Sequence, residues 1–101
     1  MTEPRGLPAG DCALHKDHGS AKPLRMVVHH IQPLGMGGPD IKENKIVICN
    51  TGHLNVHWLL ASLVYGFSVD GGSRTERKLA KQGYDAWVQA GKPGNPHAAY
   101  G

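Results

Sequence analysis

Two pairs of histidines carry the strongest chemical signal in the chain: His29 and His30 are adjacent, and His53 and His57 stand four residues apart. On a helix the second pair shares one face with about 5 to 6 Å between Cβ atoms, a separation from which two imidazoles can hold one cation. Taken alone, such a pair reads as two helix histidines facing water or packed singly sooner than as ligands. On a strand the first pair points to opposite faces, so its two imidazoles serve one site only through a twist or bulge at the dyad. Imidazole is the commonest metal ligand and an acid and base near neutral pH. Seven histidines against one phenylalanine make it the most unusual feature of the composition. His97 falls in a Gly/Pro-rich tail and is read as a bystander.

The elements that must position these groups fit one small domain. A chain of 101 residues, 40% apolar and 19% charged, buries at most about two-thirds of its surface. Residues 1–24, punctuated by Pro4, Gly6, Pro8, Gly10, Gly19 and Pro23, read as an irregular segment. The run RMVVHHI (25–31) is β-branched and reads as a strand, QPLGMGGPD (32–40) as a loop, and KIVIC (45–49) as a second strand. Asn50 or Thr51 then caps a helix that begins near His53 and stops at Gly66. That helix is apolar nearly all round, which predicts cover from more than one side. Ser73 with Glu76 forms a capping box opening a helix over 74–90, whose Leu79, Gly83 and Trp87 recur at i, i+4 and i+8 and should pack on the first helix. Residues 91–101 have the Gly and Pro density of a frayed, flexible tail. The expected fold is therefore α+β, a short β-hairpin followed by the histidine-bearing helix and an additional C-terminal helix, with the domain spanning 25–90.

Eleven Lys and Arg against eight Asp and Glu give a net charge of +3 and a pI near 9.0, which fits an anionic partner. Arg74, Arg77, Lys78 and Lys81 form a basic turn, and Arg25, Lys42 and Lys45 flank the histidines; each can meet phosphate oxygens without reading sequence. A merely solvated helix face is the alternative for the first group. No run of 18 apolar residues is present and the first twelve residues lack the apolar segment of a secretory signal, so a cytoplasmic protein without a membrane partner is expected. In that compartment Cys12 and Cys49 read as reduced thiols or metal ligands.

The run VVHHIQPLGMGGPDIKENKIVICNTGHLNVH (27–57) resembles the HNH endonuclease family of phage and bacterial type. The resemblance rests on the His29-His30 dyad, Ile31 and Pro33 after it, Gly37-Gly38, Asn44 before the second strand, Cys49 at its end, and His53 and His57. It implies a ββα-metal, treble-clef-like motif and a metal-dependent endonuclease acting on DNA, most naturally double-stranded. Carried over by residue, it makes His30 the general base, and His29, His53 and His57 the ligands of one divalent metal, a set similar to the all-histidine version of colicin-type nucleases. It makes Asn44 the brace of the loop that aims His30. The chemistry agrees: phosphodiester hydrolysis needs a water deprotonated near pH 7, which suits a histidine of ordinary pKa about 6.5. It also needs a cation with open positions. Three imidazoles favour Zn²⁺, Ni²⁺, Co²⁺ or Mn²⁺ over Mg²⁺.

Many relatives in that family hold a structural zinc between two C-x-x-C pairs. Here Cys12-Ala-Leu-His15 stands where the first pair belongs, and Gly52 occupies the place of Cys49's partner. Cys12, His15, Cys49 and His18 would make a sound tetrahedral zinc site. Equally, Cys49 reads as a buried strand thiol and His15 and His18 as solvated coil. The alternative to an enzyme is a non-catalytic, zinc-stabilised nucleic-acid-binding module, which would have no need of His30 beside His29.

Overall fold

In the computed structural model the described residues are 25–101. They form an α+β arrangement, a two-stranded antiparallel hairpin followed by two helices, as the sequence pattern predicts. Strand β1 (Met26–His30) pairs with β2 (Lys45–Cys49) in unbroken register, from Met26 opposite Cys49 to His30 opposite Lys45. The ladder is prolonged at both ends, where Ile31 N–H donates to Asn44 O and Asn50 N–H to Arg25 O. No bulge interrupts the pairing at the histidine dyad.

Helix α1 (Asn50–Tyr65) follows β2 directly, beginning three residues before the expected His53. Its cap is Cys49 rather than Asn50 or Thr51: the chain turns straight from strand to helix, and the Cys49 Sγ accepts from Gly52 N–H at 3.3 Å. Gly66, in the left-handed region at φ 75°, ends the helix. Helix α2 (Arg74–Gln89) opens on the expected capping box, with Ser73 and Glu76 exchanging hydrogen bonds. Its Leu79, Gly83 and Trp87 are buried against the rest of the core. Gly83 serves close approach, since a Cβ there would stand 2.2 Å from the Ile31 carbonyl oxygen.

The core gathers Met36 and Ile48 from the hairpin side, Val56, Leu59 and Leu60 from α1, and Leu79, Ala80 and Trp87 from α2. Cover of α1 is less complete than its composition predicts. Leu54, Trp58, Leu63 and Tyr65 remain exposed because the hairpin and α2 occupy the other sides.

Residues 91–101 correct the expectation of a flexible tail. Pro96–Tyr100 form a short 3-10 turn packed on α1, with Ala99 fully buried. Here Gly and Pro serve to turn the chain back: Gly91 and Gly94 adopt positive φ. Trp87 Nε1–H then holds Pro93 O at 2.9 Å, and Asn95 N–H reaches Gly35 O at 2.8 Å. Among the described residues no helix is long and apolar enough to cross a membrane.

Candidate metal centre

His29 is carried inward by β1 and is fully buried; His53 and His57 meet it from successive turns of α1. One ring nitrogen from each lies within 4.8 Å of the others. Ring centroids are 5.2 Å apart for His29 and His53, 5.1 Å for His29 and His57, and 4.5 Å for His53 and His57. Neither nitrogen of His29 finds a hydrogen-bond partner among the described residues. A buried polar group left bare costs about 1 to 3 kcal/mol, so the cluster asks for a ligand that accepts nitrogen lone pairs.

Its electrostatics point the same way. Burial, reinforced by the charges His57, His53 and His30 would carry, lowers the His29 pKa to about 3. Burial and then His57 lower that of His53 to about 4. Burial also lowers His57, against the opposing pull of its hydrogen bond to the Ala99 carbonyl. Three imidazoles that stay neutral at pH 7 keep their lone pairs, which is the protonation state a metal requires. The donor set therefore fits a divalent ion, and the bare nitrogens of His29 are the structural reason.

His30 occupies a different setting, on a hollow of about 400 Å³ that it lines with two of the cluster, His53 and His57, and with Leu34 and Ala98. Dyad and helix histidines thus converge although the strand pairing is regular. His30 Nε2 lies 2.9 Å from Asp40 Oδ1, and Lys45 Nζ lies 2.8 Å from the same oxygen. The hydrogen bond from Lys45, then that from His30, lowers the Asp40 carboxyl to about 2. An ionised carboxylate only accepts, so His30 Nε2 carries the hydrogen and the lone pair of the neutral ring sits on Nδ1.

Asn44 is the clasp behind this edge. Its Oδ1 accepts from Gln32 N–H at 2.9 Å, and its Nδ2 donates to Gln32 O at 2.9 Å and to Pro39 O at 2.8 Å. One buried amide thereby ties Gln32, two residues past β1, to Pro39, the residue before Asp40. Gly38 makes room for that clasp, since a Cβ there would fall 1.9 Å from Gln32 O.

Asp40 escaped the sequence reading, because an Asp in a Gly/Pro loop looks like an ordinary turn former. Its signal was the pairing of Lys45 with the dyad's last residue, visible only once the register is fixed. Lys45, expected to face phosphate, has a side chain only 15% exposed and is engaged with Asp40. Arg77 donates to the carbonyls of Val69 and Gly71, and Lys81 pairs with Asp85 at 3.0 Å. Arg74, Arg77, Lys78 and Lys81 line one shallow groove on α2, which shares no lining residue with the histidine cavity. Arg25 and Lys42 are exposed near the hairpin ends. Cys49 is buried as the α1 cap; Cys12, His15 and His18, the other members of the expected zinc site, lie outside the described residues.

No protein-family model matches the chain, and no curated protein or solved structure matches it.

Proposed function

We propose that the chain is a metal-dependent endonuclease of the HNH type, hydrolysing phosphodiester bonds of double-stranded DNA within a ββα-metal motif. The observation that carries this reading is a three-histidine cluster, in which His29 has bare buried nitrogens, beside a cavity that two of its members, His53 and His57, line together with a fourth histidine, His30, held by a carboxylate. A structural metal alone would account for the first and not for the second.

In this reading His29, His53 and His57 hold one divalent ion, which when bound supplies electrostatic stabilisation of the scissile phosphate and the leaving oxygen. His30 takes the proton of the attacking water on Nδ1, the nitrogen that Asp40 leaves with a lone pair. Asp40 fixes the ring and balances the imidazolium as it forms. Asn44 keeps Asp40 in reach of His30 by holding both ends of the loop. Exposed Arg25, Lys42, Arg74 and Lys78 supply charge for the phosphate backbone.

Supercoiled plasmid incubated with the protein and Zn²⁺, Ni²⁺, Co²⁺, Mn²⁺ or Mg²⁺ tests the proposal. Nicked or linear product is expected with at least one ion, and His30→Ala should cut the rate by about 10² to 10⁴ while leaving metal affinity unchanged. Plasmid that is bound but left intact with every ion would reject the nuclease and leave the non-catalytic binding module.

A further inference from the structure

His57 is tied down from behind by a part of the chain that sequence pattern assigns to no site. Its Nδ1 lies 2.8 Å from the carbonyl oxygen of Ala99 in a buried contact. A carbonyl can only accept, so Nδ1 carries the hydrogen and Nε2 keeps the lone pair. The same residue that must offer a nitrogen to the cluster therefore has its tautomer chosen by the backbone of the turn Pro96–Tyr100.

That turn is firmly docked. Ala99 belongs to the hydrophobic core at 0% exposure. Asn95 N–H donates to Gly35 O at 2.8 Å, and the turn lies so close that a Cβ on Gly35 would stand 2.6 Å from the Ala98 Cβ. Ala98 also lines the histidine cavity. A short stretch held this tightly, with one carbonyl aimed at a clustered histidine, has the geometry of the outer partners that orient metal-binding imidazoles.

We infer that the turn Pro96–Tyr100, acting through the Ala99 carbonyl, is a positioning element of the His29–His53–His57 centre, so that docking of the turn and uptake of a divalent metal are coupled. This rests on the metal-centre half of the proposed function and not on its nuclease half. Undocking frees His57 to hold its hydrogen on either nitrogen and to turn its ring, which weakens the metal. By reciprocity the metal must hold the turn more tightly by the same factor.

Nitrogen NMR of the metal-free full chain reads the tautomer directly: His57 with its hydrogen on Nδ1 is expected, and a hydrogen on Nε2 would overturn the inference. Zn²⁺ affinity should fall by about 10- to 100-fold on deletion of residues 96–101 and in Ala99→Leu, whose side chain has no room in the core. Undiminished affinity in either folded variant overturns it. Hydrogen exchange on the unaltered chain covers the case in which neither variant folds. The amides of Asn95, Ala98 and Gly101, which close the turn, should slow on adding Zn²⁺; unchanged exchange overturns the coupling. Failure of the full chain to bind Zn²⁺ removes both this inference and the metal centre. Zn²⁺ binding with the turn coupled, on a protein that leaves plasmid intact, supports the inference and rejects only the nuclease.

Discussion

The histidine cluster and the charged edge beside it meet at one cavity, which His53 and His57 line from the first and His30 from the second, and they prepare their imidazoles by opposite means. In the cluster, burial does the work: His29, His53 and His57 are kept neutral because protonation there lacks solvent and meets neighbouring imidazoles. At the edge, charge does it: His30 faces Asp40, itself held ionised by Lys45, in a setting where the His30 side chain is 22% and the Asp40 side chain 61% exposed. A ligand needs a fixed lone pair and no proton, which desolvation provides. A base needs a partner for the cation it becomes, which a carboxylate provides. The contrast also says where stability is given up, since His29 is buried with nothing to bond.

The largest effect that could break this comparison comes from replacing His29 by Leu. Metal affinity should fall by more than about 100-fold, beyond the range for losing an outer partner. In chelator the same change should stabilise the protein by about 1 to 3 kcal/mol, because a bare polar group leaves the core. Denaturant titrations with and without Zn²⁺ measure both. A destabilised His29→Leu protein in chelator would show that the cluster is held by packing its rings and not strained by their nitrogens.

Next in size is the clasp. Asn44→Ala strips three hydrogen bonds from backbone groups, two buried at Gln32 and one part-buried at Pro39, and should cost roughly 2 to 4 kcal/mol. It should also free Asp40 and lower the cleavage rate more than it lowers metal affinity. Equal losses in rate and affinity would mean that the edge and the cluster are one rigid unit.

How far the sequence discloses this arrangement depends on the range of the interaction. Both strands, both helices and the Ser73–Glu76 box follow from local pattern, because alternation, capping and stop residues act within a few positions. The histidine cluster was legible in part for the same reason, since His53 and His57 are helix neighbours, but that His29 and not His30 joins them followed only from the resemblance to the HNH family. Asp40 and the Ala99 carbonyl were not legible. Asp40 meets His30 only through the closed loop, and a backbone carbonyl leaves no mark in a sequence. The tail was misread because Gly91, Pro93 and Gly94 turn a chain as readily as they loosen one.

The two regions should separate by pH. A histidine whose pKa is about 6.5 unfolded and about 4 or 3 folded, as for His53 and His29, binds its proton more tightly in the unfolded chain. Its stabilising contribution is complete above pH 6.5 and is lost as pH falls from there toward 4 and below. Asp40, lowered from 3.8 to about 2, has the same sign in a lower window and, being exposed, a smaller weight. The metal-free protein should therefore lose stability from pH 6.5 downward, with His29→Leu flattening the slope between 6.5 and 4 and Asp40→Asn leaving it in place. A slope that Asp40→Asn removes and His29→Leu does not would invert the assignment of burial to one region and charge to the other.

The smallest effect lies on the groove of α2 and asks whether charge outside the cavity reaches the phosphate backbone. Lys81 already pairs with Asp85 at 3.0 Å, and Arg77 is engaged by the carbonyls of Val69 and Gly71. Exposed Lys78 sits between them in the same groove. A lysine that neutralises a phosphate releases condensed counterion, so its removal lowers the dependence of binding on salt by about 0.9 of a log unit per tenfold change. Lys78→Ala should flatten the slope by about that amount, whereas Lys81→Ala should flatten it less, because Asp85 competes for the same ammonium. Neither should move metal affinity, since the groove shares no lining residue with the histidine cavity. Salt titrations that superimpose for wild type and both variants would assign α2 to the core alone and leave Arg25 and Lys42, at the hairpin ends, as the cations to vary next for the proposed contact with DNA.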